Sequence, residues 1–222
     1  MLKLVKLFLP VEKKSFHKRD AEKLRGYFGN FFQEYIEFHH HIDEFTFQYT
    51  YSKIQYKILD GCCVILGVQE AADLLLQLAE KITCFTIDGI SYETKPEVRM
   101  LFPNLEVTDK KWKYRFETPW FALNQQNYSK YQKGEFDFNK QLRNNILEFF
   151  KMCRIQAEKK IEVTGNFKLL VFRQKDISIL GFVGEFESNV DMPDDISLGK
   201  RKSIGLGRIK KIGGEKYVNN SE

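Results

Sequence analysis

Apolar and polar residues alternate in short blocks along this chain, and the spacing in each block predicts an element. Residues 3–9 alternate as a strand and stop at Pro10, which has no N–H to give to a ladder. Asp20 then offers a cap, and Leu24, Tyr27, Phe28, Phe31, Tyr35 and Phe38 recur at spacings of three and four, which predicts an amphipathic helix with an aromatic face. Residues 53–59 alternate again, with Ile54, Tyr56 and Ile58 on one side. On the other side Lys57 reads as part of a wet face. Asp60-Gly61 is a hairpin-turn pair, and the apolar run Cys62–Val68 follows as its second strand. Residues 70–82 predict a second helix that buries Ala71, Leu74, Leu75, Leu78 and Ile82. Residues 83–107 read as further strands, with turns at Asp88-Gly89 and near Pro96 and Pro103.

The order then starts again. Residues 111–116 place Trp112, Tyr114 and Phe116 inward and Lys111, Lys113 and Arg115 outward. A polar stretch, 124–134, reads as a loop. A helix over about 137–153 has Leu142, Ile146, Phe149, Phe150 and Cys153 on its inner face. Residues 167–172 and 178–186 pair as a hairpin, and 208–212 form a last short strand. The pattern predicts an α+β fold of two tandem ferredoxin-like (βαββαβ) domains, over 1–110 and 111–222. The second domain lacks or shortens its last helix and carries a glycine-rich basic loop at 198–208.

Composition changes this picture in two ways. With 43% hydrophobic and 29% charged residues the chain has material for a real core, which excludes wholesale disorder. No uncharged apolar run approaches the roughly 18 residues of a membrane span, and the first residues read as a strand rather than a leader. The four cysteines show no C-x-x-C spacing, so neither a disulfide framework nor a zinc ribbon is expected, and a reducing cytoplasm fits. The net charge of +5 is concentrated between residues 198 and 216. Lys200, Arg201, Lys202, Arg208, Lys210, Lys211 and Lys216 face Glu215 alone there, which leaves the rest of the chain slightly acidic.

Two clusters carry candidate chemistry. In the loop, Gly199, Gly205 and Gly207 allow close backbone approach to a phosphate, Lys200, Arg201, Lys202 and Arg208 add charge, and Ser203 adds a neutral donor. A solvated surface loop is the plain alternative, and neither a Walker loop nor a dinucleotide fingerprint is present. After the first helix stands His39-His40-His41. These side chains suit proton transfer or RNA contact, or simply a polar helix end. His39, His41 and Asp43 also have an H-x-H-x-D spacing used by metallohydrolases, but no histidine follows His41 to complete a metal set. Tyr49, Tyr51, Lys53, Tyr56 and Lys57 interleave aromatic and basic residues, a pattern that stacks bases beside phosphates.

Three stretches resemble a known family, the CRISPR-associated repeat-processing endoribonucleases of the RAMP (repeat-associated mysterious protein) superfamily. They are the run from Gly181 to Lys200 that continues through Ser203-Ile-Gly-Leu-Gly-Arg208, then Leu24-Arg25-Gly26, then His39-His-His41 followed by Tyr51-Ser-Lys-Ile-Gln-Tyr-Lys57. His40 stands where one branch has Asn, Ser52 where it has Pro, and Ser197 where a glycine is expected. The resemblance implies two ferredoxin-like domains and cleavage of CRISPR repeat RNA without metal or cofactor, by attack of a 2′-hydroxyl on the adjacent phosphate. His39 or His41 would be base or acid, Tyr51 or Lys53 electrostatic support, and residues 199–208 the backbone holder. It also implies a homodimer and association with other CRISPR effector proteins. A RAMP protein that binds RNA without cutting it is the alternative.

Overall fold

The computed structural model describes residues 1–38, 52–174 and 177–213. In the first half, strands β1 (Leu4–Leu9), β2 (Ile54–Leu59) and β3 (Cys62–Val68) join β6 (Glu97–Leu101) in a sheet of order β2-β3-β1-β6, with every neighbouring pair antiparallel. Helices α1 (Asp20–Phe31) and α2 (Glu70–Leu78) are the two crossovers. They cover one face, where Leu24, Phe28, Ala71 and Leu75 pack with Val5, Leu7, Tyr56 and Ile65. A separate hairpin, β4 (Cys84–Ile87) and β5 (Ile90–Glu93), packs on α1. The predicted turns at Asp60-Gly61 and Asp88-Gly89 both close hairpins.

The second half repeats the order. Strands β7 (Glu106–Phe116), β8 (Val163–Gln174), β9 (Ile177–Asp191) and β10 (Ile209–Ile212) form an antiparallel sheet of order β10-β7-β9-β8. Strand β7 starts at Glu106, upstream of residue 111, where the pattern places the second half. Helix α4 (Phe138–Cys153) is the first crossover and buries Leu142, Ile146, Phe149, Phe150 and Cys153, the face its periodicity predicts. The second crossover helix is absent. Between β9 and β10 the chain makes a single 3₁₀ turn, Lys202–Ile204, inside the glycine-rich loop.

Three local expectations differ from what is found. Residues 124–134 hold a helix, α3 (Gln125–Gln132), where a polar loop is expected. It buries no residue, so it leaves no hydrophobic period to read. A reciprocal capping box holds it instead, with Asn124 Oδ1 accepting from Asn127 N at 2.8 Å and Asn127 Oδ1 from Asn124 N at 2.6 Å. Asp20 sits inside the first turn of α1 rather than before it, and its carboxylate accepts from the His17 amide at 2.9 Å. The face of β2 expected to be wet is dry: Gln55 and Lys57 are 0% and 1% exposed. The cover comes from the second half. Leu2, Leu4, Leu66 and Val68 share one core with Tyr114, Trp120, Ile146, Phe182 and Ile209, so β2 and β3 are enclosed on both faces while the edge strand β6 stays exposed.

Candidate nucleic-acid interface

The glycine loop lies on the seam between the halves. Its 3₁₀ turn packs on both β2 and α1. Gly205 has φ +75°, and a Cβ there would meet the Tyr56 carbonyl oxygen at 2.8 Å. Gly207 has φ +68°, and its Cβ would lie 2.0 Å from the Leu198 carbonyl oxygen. At both positions the close backbone approach is made to the protein itself, which fixes the loop's path. Gly199 lies beside the Trp120 indole, whose Nε1 donates to Asn145 Oδ1 at 3.0 Å.

Polar groups bolt the loop down further. Asp195 accepts from Lys6 Nζ of β1 at 2.6 Å and from the Arg208 guanidinium at 2.7 Å. Burial pushes its carboxyl up, but the two cations outweigh that and hold it below the usual carboxylate range. Arg208 also lies 3.9 Å from the Glu117 carboxylate, and Lys18 Nζ donates to the Glu117 carbonyl at 2.8 Å. Lys57 Nζ meets Ser197 Oγ at 2.6 Å. Burial lowers the Lys57 pKa well below the ordinary lysine value; Asp195 opposes the shift, and Arg208 and Lys6 add to it. Lys57, expected on a solvated face of its strand, is instead a buried strut between the halves. Alternation alone shows which face it occupies, not what covers it.

The pull on Lys57 has a measurable sign. Its folded pKa lies below the unfolded value of about 10.4, so between the two the unfolded chain binds more protons and stability rises with pH. Wild-type melting temperature is therefore expected to gain more between pH 7 and 9 than that of Lys57→Met, measured by thermal denaturation. Equal gains in the two proteins would remove the buried charge from the account.

The predicted site residues now fall into groups. Lys200 and Arg201 are exposed at the loop surface, and the Arg201 guanidinium lies 5.8 Å from the centre of the Phe121 ring. Lys202 is half-buried; burial draws its ammonium down, partly offset by Glu148. Ser203 is buried, and Arg208 is held by Asp195. Lys53 donates to Glu70 at 2.6 Å, and the same carboxylate meets Arg154 at 2.9 Å. His39, His41 and Tyr51 lie outside the described residues, as do His40, Asp43 and Tyr49. Their described flanks are informative. The chain enters that segment from a 3₁₀ turn, Ile36–Phe38, after α1 and leaves it into β2. Helix α1, ahead of that 3₁₀ turn, and β2 are the two elements on which the glycine loop packs. Lys6, Lys57, Asp195 and Ser197 were missed as a group, because their sequence separation of up to about two hundred residues leaves no local signal.

No helix among the described residues is long and apolar enough to cross a membrane. Among them, no three His, Cys, Asp or Glu side chains gather as a metal set.

Comparison with known proteins agrees with this architecture. The Cas6b N-terminal domain model matches residues 1–100, and the Cas6b C-terminal domain model matches residues 106–212. A solved structure of Cas6b is 29% identical, covers 95% of this chain and 100% of its own, and superposes with a TM-score of 0.84. A CRISPR RNA processing endoribonuclease Cas6b, also 29% identical over the same shares, gives 0.70. Csf5, a type IV Cas6 crRNA endonuclease, is 14% identical with a TM-score of 0.53 and shares the fold. An uncharacterized protein of Methanocaldococcus jannaschii is 29% identical over 120 residues, 51% of this chain and 82% of that protein. The two matched domains, in sequence order and on the tandem ferredoxin-like frame, place this chain in the Cas6b family.

Proposed function

We propose that the chain is an endoribonuclease that cuts CRISPR repeat RNA without a metal. The observation that supports this reading is the packing of the glycine loop on both α1 and β2, the helix and the strand between which the histidine segment lies in sequence; on this reading one RNA strand meets both. Lys200 and Arg201 would meet the RNA backbone from the exposed side of the loop. At the scissile step a base, His39 or His41, takes the proton of the ribose 2′-hydroxyl, and that oxygen attacks the adjacent phosphorus. The 5′-oxygen leaves with a proton from the second imidazole. The products are a 2′,3′-cyclic phosphate and a 5′-hydroxyl. Tyr51 or Lys53 would steady the charge on the phosphorane. A homodimer, association with other CRISPR effector proteins and a cytoplasmic setting belong to the same reading; sedimentation and co-purification test the first two.

The test is incubation of the purified chain with labelled repeat RNA in EDTA. Product ending in a cyclic phosphate supports the reading. RNA that is bound and stays intact points to the non-cutting RAMP alternative. Replacing Lys200 and Arg201 together by Ala is expected to weaken binding about tenfold at moderate salt. It should also flatten the plot of log affinity against log salt by one to two ion equivalents, about one per lost phosphate contact. Salt-titrated fluorescence anisotropy reads both, and an unchanged slope would take these residues off the RNA.

A further inference from the structure

Lys53 is held at both ends. Its carbonyl accepts from Val68 N at 2.9 Å, which ties the entry of β2 to the last residue of β3. Its Nζ donates to Glu70 Oε2 at 2.6 Å, and Glu70 Oε1 meets the Arg154 guanidinium at 2.9 Å. One carboxylate in the first turn of α2 thus stands between a lysine of the first half and an arginine of the second. The hydrogen bond from Lys53 keeps that carboxyl below the usual carboxylate range, so its charge stays in place at neutral pH.

The backbone that presents Glu70 is strained. Gln69, the residue before α2, has φ +55° and ψ −122°, a region that glycine visits far more readily than other residues. Three hydrogen bonds pin it there. Its N–H donates to the Lys3 carbonyl at 2.9 Å, its Oε1 accepts from Lys3 N at 3.2 Å, and its Nε2 donates to the Cys153 carbonyl at 2.6 Å. On the other side, Arg154 ends α4 in the left-handed conformation, φ +55° and ψ +36°, and its guanidinium reaches Glu70. Two non-glycine residues with positive φ, one from each half, therefore converge on one carboxylate. The return in stability is small, because Glu70 and Arg154 keep 53% and 77% of their side-chain surface and ion pairs so open to water contribute little. What the arrangement fixes is position, since the flexible four-carbon stem of a lysine is restrained by the bond at its tip.

Lys53 also lies on the strand that meets the glycine loop. The carbonyl of Tyr56, three residues further along β2, packs against Gly205. At about 3.3 Å per residue the two points are roughly 10 Å apart along the strand, the span of a few nucleotides. We infer that Glu70 is a positioning residue for cleavage: it holds the Lys53 ammonium toward the reacting phosphate, and Arg154 anchors Glu70 from the second half. The inference rests on the endoribonuclease reading above and takes Lys53, of the two side chains named there, as the group that steadies the phosphorane.

The test is a double-mutant cycle on the full chain. It is read by single-turnover cleavage of labelled repeat RNA in EDTA and, separately, by affinity in fluorescence anisotropy. Lys53→Ala is expected to cut about 10²-fold more slowly than wild type, the cost of losing one group that stabilises transition-state charge. Glu70→Ala should cut about 10–100-fold more slowly, as for a misplaced group, with affinity within a few-fold of wild type. The double variant should be no slower than Lys53→Ala alone, because Glu70 acts through Lys53. Glu70→Gln keeps the shape and an acceptor oxygen but loses the charge, and should fall between wild type and Glu70→Ala. Asp73→Ala is the control. Asp73 lies in the same first turn and its carboxylate pairs with Lys3, so this variant breaks a comparable surface pair without touching Lys53 and should cut at the wild-type rate. Thermal melts check folding throughout. Glu70→Ala at the wild-type rate, or a loss that multiplies that of Lys53→Ala, overturns the role. So does a Lys53→Ala chain that cuts normally, and the endoribonuclease reading then stands without it. Wild type that leaves the RNA intact removes the reading and the role together.

Discussion

His39→Ala and His41→Ala in one chain are expected to slow cleavage of repeat RNA by about 10²–10⁴-fold while leaving affinity within a few-fold of wild type. The two effects separate on the proposed roles, in which the exposed cations of the glycine loop hold the strand and the imidazoles move protons. Single-turnover cleavage with enzyme in excess, in EDTA, isolates the chemical step from product release. Each single variant should lose a large part of the rate, because an in-line attack needs both a base for the 2′-hydroxyl and an acid for the departing 5′-oxygen. His17 supplies the control. It is exposed in the turn before α1, where its backbone amide donates to Asp20, and His17→Ala should cut at the wild-type rate. A double variant that still cuts at that rate would move the chemistry off the histidine segment.

Asp195→Asn is expected to lower stability at pH 7 by about 2–4 kcal/mol. That is somewhat less than the loss from breaking a fully buried ion pair, because Asp195 and its partners keep 11–16% of their side-chain surface. Asn has almost the same shape and tolerates the positive φ of +68° at this position. The variant therefore removes charge without disturbing the backbone, and it leaves Lys6 and Arg208 facing each other with no anion between them. The acid side gives a second check. The folded carboxyl is held below its unfolded value, so its contribution is present above about pH 4 and is lost as pH falls through the folded pKa. Urea titrations at a series of pH values should show a gap between wild type and variant that is large at pH 7 and narrows progressively below about pH 4. A constant gap would assign the loss to packing rather than to charge.

The elements that bury a periodic face were readable from the chain itself. Helix α4 shows its inner row at spacings of three and four, and those residues are the buried ones. The two Asp-Gly pairs marked hairpins because turn chemistry is local. The missing final crossover was also visible, since a glycine-rich basic run has no apolar stripe to bury. Helix α3 was hidden because its capping box is a local signal and a single side chain, Tyr131, meets the core, at Phe182, too little to make a hydrophobic period. The site was legible at the level of composition, as glycines and cations in one loop. It was not legible at the level of roles. Arg208 and Lys200 look alike in sequence, yet one is enclosed by Asp195 and Glu117 and the other faces solvent. Lys57 and Ser197 are 140 positions apart, and only the folded chain brings them together.

Because the link between β9 and β10 rests on the opposite sheet, β10 reaches its place beside β7 only over ground that the first half supplies. Gln69 adds a rivet, accepting from the Lys3 amide and donating to the Cys153 carbonyl. The molecule is thus built as two repeats but is expected to melt as one cooperative body. A lesion in either repeat should then be felt in both, and the frame that carries the glycine loop should stand or collapse as a whole.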